Sequence, residues 1–205
     1  TVTDMLSSGY GVVDDSRHLI QHFHDLGHDR LCLVGLSMGG EMAALAAASL
    51  PHIHVGLVPL MGGDSAKPVW TEGCLSHVIH WRKLFGELDT RRAPGESDHE
   101  IEVGEKEQNI VKHKLAQILD SISGFHTFPG LKNKSLIKQV QAVGDGFVLK
   151  SSSVKLFEQN EGEIRFVPGG HVTGFVTKQF DFEDACFDCL GELDRLRDVK
   201  RTSKE

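Results

Sequence analysis

Residues 35–39 read Gly-Leu-Ser-Met-Gly, and the segments on either side of them decide what that pattern is worth. Ahead of it runs LCLVGL, a short β-favouring stretch without alternation, as expected of a strand buried on both faces. After a break at 37–40, residues 41–50 are alanine-rich and helix-forming, and Pro51 ends them because proline bars its predecessor from helical angles. A G-x-S-x-G sequence between strand and helix predicts a sharp elbow that lifts the serine hydroxyl clear of a sheet. The flanking glycines keep side chains from colliding where strand and helix close up.

The rest of the chain supplies the sheet. Upstream, residues 15–26 place Leu19, Ile20, Phe23 and Leu26 on one helical face, and Gly27 suits a left-handed cap. Residues 54–61 read as a second strand ending at Gly62-Gly63, which closes a strand–helix–strand unit and makes the sheet parallel. Between 64 and 135 the composition changes, and this stretch reads as a mostly helical, cap-like insertion with a helix at 111–122 and a mobile part near 91–107. Regular alternation then returns: strand at 137–143, helix at 151–159, strand at 163–167, helix at 180–196. One partial domain over 1–196 and a disordered tail at 197–205 follow from this reading.

Composition removes several functions. The 22 Lys+Arg against 29 Asp+Glu leave a net charge of −7, which repels a phosphate backbone, so no nucleic-acid partner is expected. No apolar run approaches the roughly 20 residues of a spanning helix. Four cysteines among 205 residues are too few for a disulfide scaffold and favour an intracellular, reducing setting. Cys186 and Cys189 form a lone C-x-x-C, and His18 and His22 stand one helical turn apart without a metalloprotease motif. Neither set supplies the about four ligands of a zinc site, so no metal and no cofactor are expected.

A serine hydroxyl needs a base, and the base needs an orienting group. On elbow folds the partners follow in the order Ser, acid, His, each at a strand's C-terminal end. His171, in VPGGHVTG just past the strand at 163–167, meets that condition, and Asp145, in VGDGF after the strand at 137–143, meets the condition for the acid. An ordinary Asp-Gly turn and a plain surface histidine are the alternatives. Glu161 and Glu163 fall at the wrong end of a strand. The backbone N–H of Met38, opening the helix, is placed to meet a developing oxyanion. Met61, Val69, Trp70 and Trp81 follow a strand's C-terminal end, where they line an acyl pocket or else pack in a core.

With these motifs the sequence resembles the abhydrolase domain-containing protein 18 family. The likeness runs through LVGLSMGGEMAALAA, VPLMGGDSAKPVWTEGCLSHVIHWRKL, VQAVGDGFV and IRFVPGGHVTGFV. It implies an α/β-hydrolase fold, a parallel sheet flanked by helices, with Ser37 as nucleophile, Asp145 as acid and His171 as base. It further implies ester hydrolysis, with lipid acyl esters as the substrate class, peripheral membrane contact and a mitochondrial setting. Family members carry a long segment before the helix at 15–26 that brings the early strands and a second oxyanion donor. This chain therefore reads as a C-terminal portion. Two functions of different class follow: a serine hydrolase, or a catalytically impaired remnant acting as an interaction or regulatory protein. A peptidase or thioesterase using the same residues is a third.

Overall fold

Short apolar strands build the centre of the molecule, whose computed structural model describes residues 2–88, 104–123 and 134–202. Strands β1 (Leu31–Leu36), β2 (Val55–Leu60), β3 (Lys138–Ala142) and β4 (Glu163–Val167) form one sheet in the order β1-β2-β3-β4. All neighbours are parallel, with Leu31 opposite Val55, Leu60 opposite Val140 and Lys138 opposite Glu163. Every residue of β2 is buried. That explains its unbroken apolar sequence, since helices cover both faces of the sheet's centre.

On one face, Val55 and Leu57 of β2 meet Ile20 of α1 (Val2–Asp25), Ala43 to Ala48 of α2 (Met38–Ala48) and Leu156 of α6 (Lys150–Asn160). On the other, Val58, Leu60 and Val140 pack on Phe182, Ala185 and Cys189 of α8 (Gln179–Thr202). Alternate strand residues supply the two cores, as the period of two requires. The insertion between β2 and β3 is helical in its described part: α3 (Ala66–Thr71), a 3₁₀ turn at Cys74–His77, α4 (Trp81–Leu88) and α5 (Glu105–Ser123). It has its own small core of Leu84, Val111, Leu115 and Leu119. No helix among the described residues is long and apolar enough to cross a membrane.

The parallel α/β architecture agrees with the sequence reading, and the differences lie at element ends. Helix α1 begins well before residue 15, where glycines and serines weaken the local signal. Val13 packs against the core and the Tyr10 hydroxyl donates to Ile122 O at 3.0 Å, so tertiary contacts override propensity. The expected break at 37–40 shrinks to Ser37, because Met38, Gly39 and Gly40 form the first turn of α2. The expected tail at 197–205 is helical as far as Thr202, with Arg197 within 3.4 Å of Asp29. Of the stretch near 91–107, residues 91–103 lie outside those described, and 105–107 are the first turn of α5.

Candidate active site

Ser37, Asp145 and His171 follow the C-terminal ends of β1, β3 and β4, so the parallel sheet alone brings them to one edge. Ser37 turns the chain directly from β1 into α2 with φ 57° and ψ −123°, a region that costs a non-glycine residue about 1–3 kcal/mol. Its N–H donates to Leu60 O at 2.8 Å, which ties the elbow to the neighbouring strand. The turn is so tight that a Cβ on Gly35 would lie 1.9 Å from Gly39 O. Gly39 itself is not required sterically, since a Cβ there meets nothing within 4 Å. The second close approach is made by Gly40, where a Cβ would lie 3.0 Å from the Cα of Gly62.

The three side chains form one hydrogen-bonded chain. Ser37 Oγ is 2.8 Å from His171 Nε2, and His171 Nδ1 is 2.6 Å from Asp145 Oδ2. An ionised carboxylate only accepts, so the ring proton sits on Nδ1 and Nε2 is left to accept from the serine hydroxyl. The Asp145 side chain is fully buried, and its oxygens are well supplied with donors. Oδ1 accepts from the N–H groups of Phe147 at 2.9 Å and Val148 at 3.0 Å, and Oδ2 from Gln141 Nε2 at 3.3 Å. Gln141 is oriented in turn by Ser153, whose hydroxyl donates to Gln141 Oε1 at 2.6 Å. His171 opens α7 (His171–Thr177) after Gly169, which has φ 115°, a conformation that favours glycine. Its ring leans on Phe147, centroids 5.2 Å apart.

Beside Ser37 lies a cavity of about 90 Å³ lined by Met38, Glu41, Val69, Trp70, Phe147 and Val148 among others. Met38, Ala66 and Trp70 also border a second, apolar cavity of about 40 Å³ that reaches Tyr10 and Val13 of α1. Val69 and Trp70 therefore line the cavity beside Ser37. The other two candidates do not. Met61 ends β2 at φ 50° and is wholly buried in the core against Val140 and Ala142, because that turn points its side chain beneath the sheet's edge. Trp81 packs on the insertion's own core and donates from Nε1 to Ser76 O at 3.1 Å. Met38, as the first residue of α2, has an N–H with no carbonyl four residues before it inside the helix.

Sequence reasoning missed Gln141, the Phe147 and Val148 N–H groups, and Glu41. Glu41 had a signal, since it is the one charged residue in the helical stretch EMAALAAA. It is only 4% exposed. Burial pushes its carboxyl up to about 8, with the nearby Asp64 raising it further and hydrogen bonding from Ser123 and the Ala66 N–H opposing the rise. Among the described residues no cluster of three or more His, Cys, Asp or Glu could hold a metal ion. Cys189 of the C-x-x-C pair instead meets Cys32, the sulfurs 3.6 Å apart, and that hydrogen bond, followed by burial, raises the Cys32 thiol.

Residues 1–192 match the family described as alpha/beta hydrolase domain containing 18. Among solved structures the fold is similar to a carboxylesterase of the thaumarchaeon Nitrososphaera gargenis, at 16% identity and a TM-score of 0.53 over 91% of this chain and 73% of that one. It is also similar to MGS-MChE2, an alpha/beta hydrolase from the metagenome of sediments of the Mar Chica lagoon, at 16% identity and a TM-score of 0.51 over 89% and 71%. At such identities the likeness establishes the fold: an alpha/beta hydrolase sheet with its helices.

Proposed function

The chain belongs to the alpha/beta hydrolase domain containing 18 family, and from that premise we propose that it is a serine hydrolase cleaving a carboxylic ester. The observation that carries this reading is the unbroken Ser37–His171–Asp145 chain at 2.8 and 2.6 Å. Ser37 Oγ attacks the ester carbonyl carbon while His171 Nε2 takes its proton. Asp145, held by Gln141 and two backbone N–H groups, fixes the ring and stabilises the imidazolium that forms. The carbonyl oxygen, now negative, turns toward the Met38 N–H at the positive end of α2. His171 then protonates the leaving alkoxide, and water activated by the same imidazole frees the acid from Ser37.

Lipid acyl esters are the substrate class this reading favours. Val69 and Trp70 offer an apolar wall beside Ser37, continuous with the cavity toward Tyr10. Large apolar side chains next in sequence to the site residues are also exposed: Met38 after Ser37, then Val172, Phe175 and Val176 of α7 after His171, and Phe180. Exposed apolar groups flanking Ser37 and His171 along the chain suit peripheral contact with a lipid surface. The test is hydrolysis of p-nitrophenyl esters of increasing acyl length by the wild-type chain and by Ser37→Ala. Turnover that disappears in the variant is the expected result, and equal rates in both would overturn the reading.

A non-catalytic interaction protein is the competing reading. It draws on the sheet's edge at β1, which has no partner strand on its outer side among the described residues.

A further inference from the structure

Glu41 is a buried carboxyl that the mechanism above does not use. It lies one turn along α2 from Ser37, on the wall of the same cavity. One of its oxygens, Oε1, is buried without a hydrogen-bond partner among the described residues. A helix otherwise built of methionine, alanine and leucine on this stretch gains nothing from an acid there, and a leucine of similar volume would avoid the cost of an unmatched buried polar group. A ligand that enters the cavity can supply the match. The terminal torsion of a glutamate is broad, so the unpartnered Oε1 can swing toward it.

We propose that Glu41 is a specificity residue of the ester site, hydrogen-bonding an uncharged hydroxyl on a substrate whose scissile carbonyl lies at Ser37. This rests on the hydrolase reading and adds the substrate's chemistry to it: a hydroxylated ester, preferred over one carrying a methyl group in the hydroxyl's place. An uncharged partner fits the surroundings. The cavity walls are largely apolar, and a carboxyl kept neutral by burial both donates and accepts. One helical turn is about 5.4 Å, so the hydroxyl belongs within a few bonds of the ester. A hydrophobic pocket discriminates poorly against an added hydroxyl, whereas a buried polar group left unpaired discriminates well.

The experiment separates binding from chemistry. Ser37→Ala protein is titrated by NMR with two pairs of probes: 2-hydroxyethyl butanoate against propyl butanoate, and ethyl 3-hydroxybutanoate against ethyl 3-methylbutanoate. The hydroxylated member of at least one pair is expected to bind roughly tenfold tighter, as one buried hydrogen bond allows. Glu41→Leu added to Ser37→Ala should erase that preference, and Glu41→Gln, which keeps an acceptor and a donor, should retain most of it. Equal affinity within both pairs, or a preference that survives Glu41→Leu, would overturn the proposal and leave Glu41 to an ordered water. The hydrolase reading fails on a different result, an absence of Ser37-dependent p-nitrophenyl ester turnover, so the two failures can be told apart.

Discussion

At the end of β3 the Asp145 carboxylate takes hydrogen bonds from Gln141, Phe147, Val148 and His171, whereas on α2 the Glu41 carboxyl, just as deeply buried, keeps one oxygen with no partner among the described residues. Asp145 reaches the Ser37 hydroxyl through His171, while Glu41 lines the cavity beside it. A carboxylate ringed with donors is fixed in place, and in the proposed mechanism it orients His171. A carboxyl in an apolar wall is driven toward its neutral form and remains free to bind. The loop after β3 can supply donors because a turn leaves backbone N–H groups unspent, and those of Phe147 and Val148 point at Asp145 Oδ1.

Breaking the satisfied side should have the largest effect. Asp145→Asn keeps an oxygen for the Phe147 and Val148 N–H groups but turns the ring to the wrong tautomer, so kcat should fall about 10⁴-fold with the fold intact. Steady-state kinetics beside circular dichroism checks this. Gln141→Leu removes one donor to Asp145 and leaves the Ser153 hydroxyl only the Gly62 carbonyl, so it should lower kcat roughly tenfold at unchanged KM and cost about 1–3 kcal/mol in urea unfolding.

The unsatisfied side predicts the opposite sign. Glu41 is raised in the folded chain from its ordinary value of 4.5 to about 8, so the native state holds more protons than the unfolded one between those values. Its contribution to stability is thus fully present below about 4.5 and is lost as pH rises through about 8. Glu41→Leu should remove this decline and be the more stable protein at pH 8 by an amount on the order of 1–3 kcal/mol, measured by chemical denaturation across the range. The smallest effect belongs to Gly39, although Gly35 on the same elbow tolerates no side chain. Gly39→Ala meets nothing and replaces glycine in a helix, so it should stabilise by about 0.5–1 kcal/mol in the same assay. Gly35→Ala, one position before the Leu36-Ser37 turn, should fail to fold.

Most of the frame was legible because burial and periodicity are local signals. The strand at 163–167 and the helix at 151–159 come within one residue of β4 and α6, and the positions of Ser37, Asp145 and His171 at strand ends follow from chain order on a parallel sheet. What could not be read depends on where side chains meet across the fold. Met61 and Trp81 look like pocket residues by position, yet a left-handed turn sends one into the core and the insertion's own packing takes the other. Gln141 sits in an alternating QVQAV run, where nothing marks it off from Gln139 until Ser153 and Asp145 close around it. The first half of α1 was hidden for the same reason, its helix being secured by contacts with distant segments.

The central claim is that the Ser37 hydroxyl is activated by His171 and Asp145. Labelling with a fluorophosphonate probe, followed by intact mass and peptide mapping, tests it most directly. One adduct per chain on Ser37, absent in Ser37→Ala and much slower in Asp145→Asn, is the predicted result. A folded chain in which Ser37 stays unmodified, or which reacts at the same rate without Asp145, would contradict it.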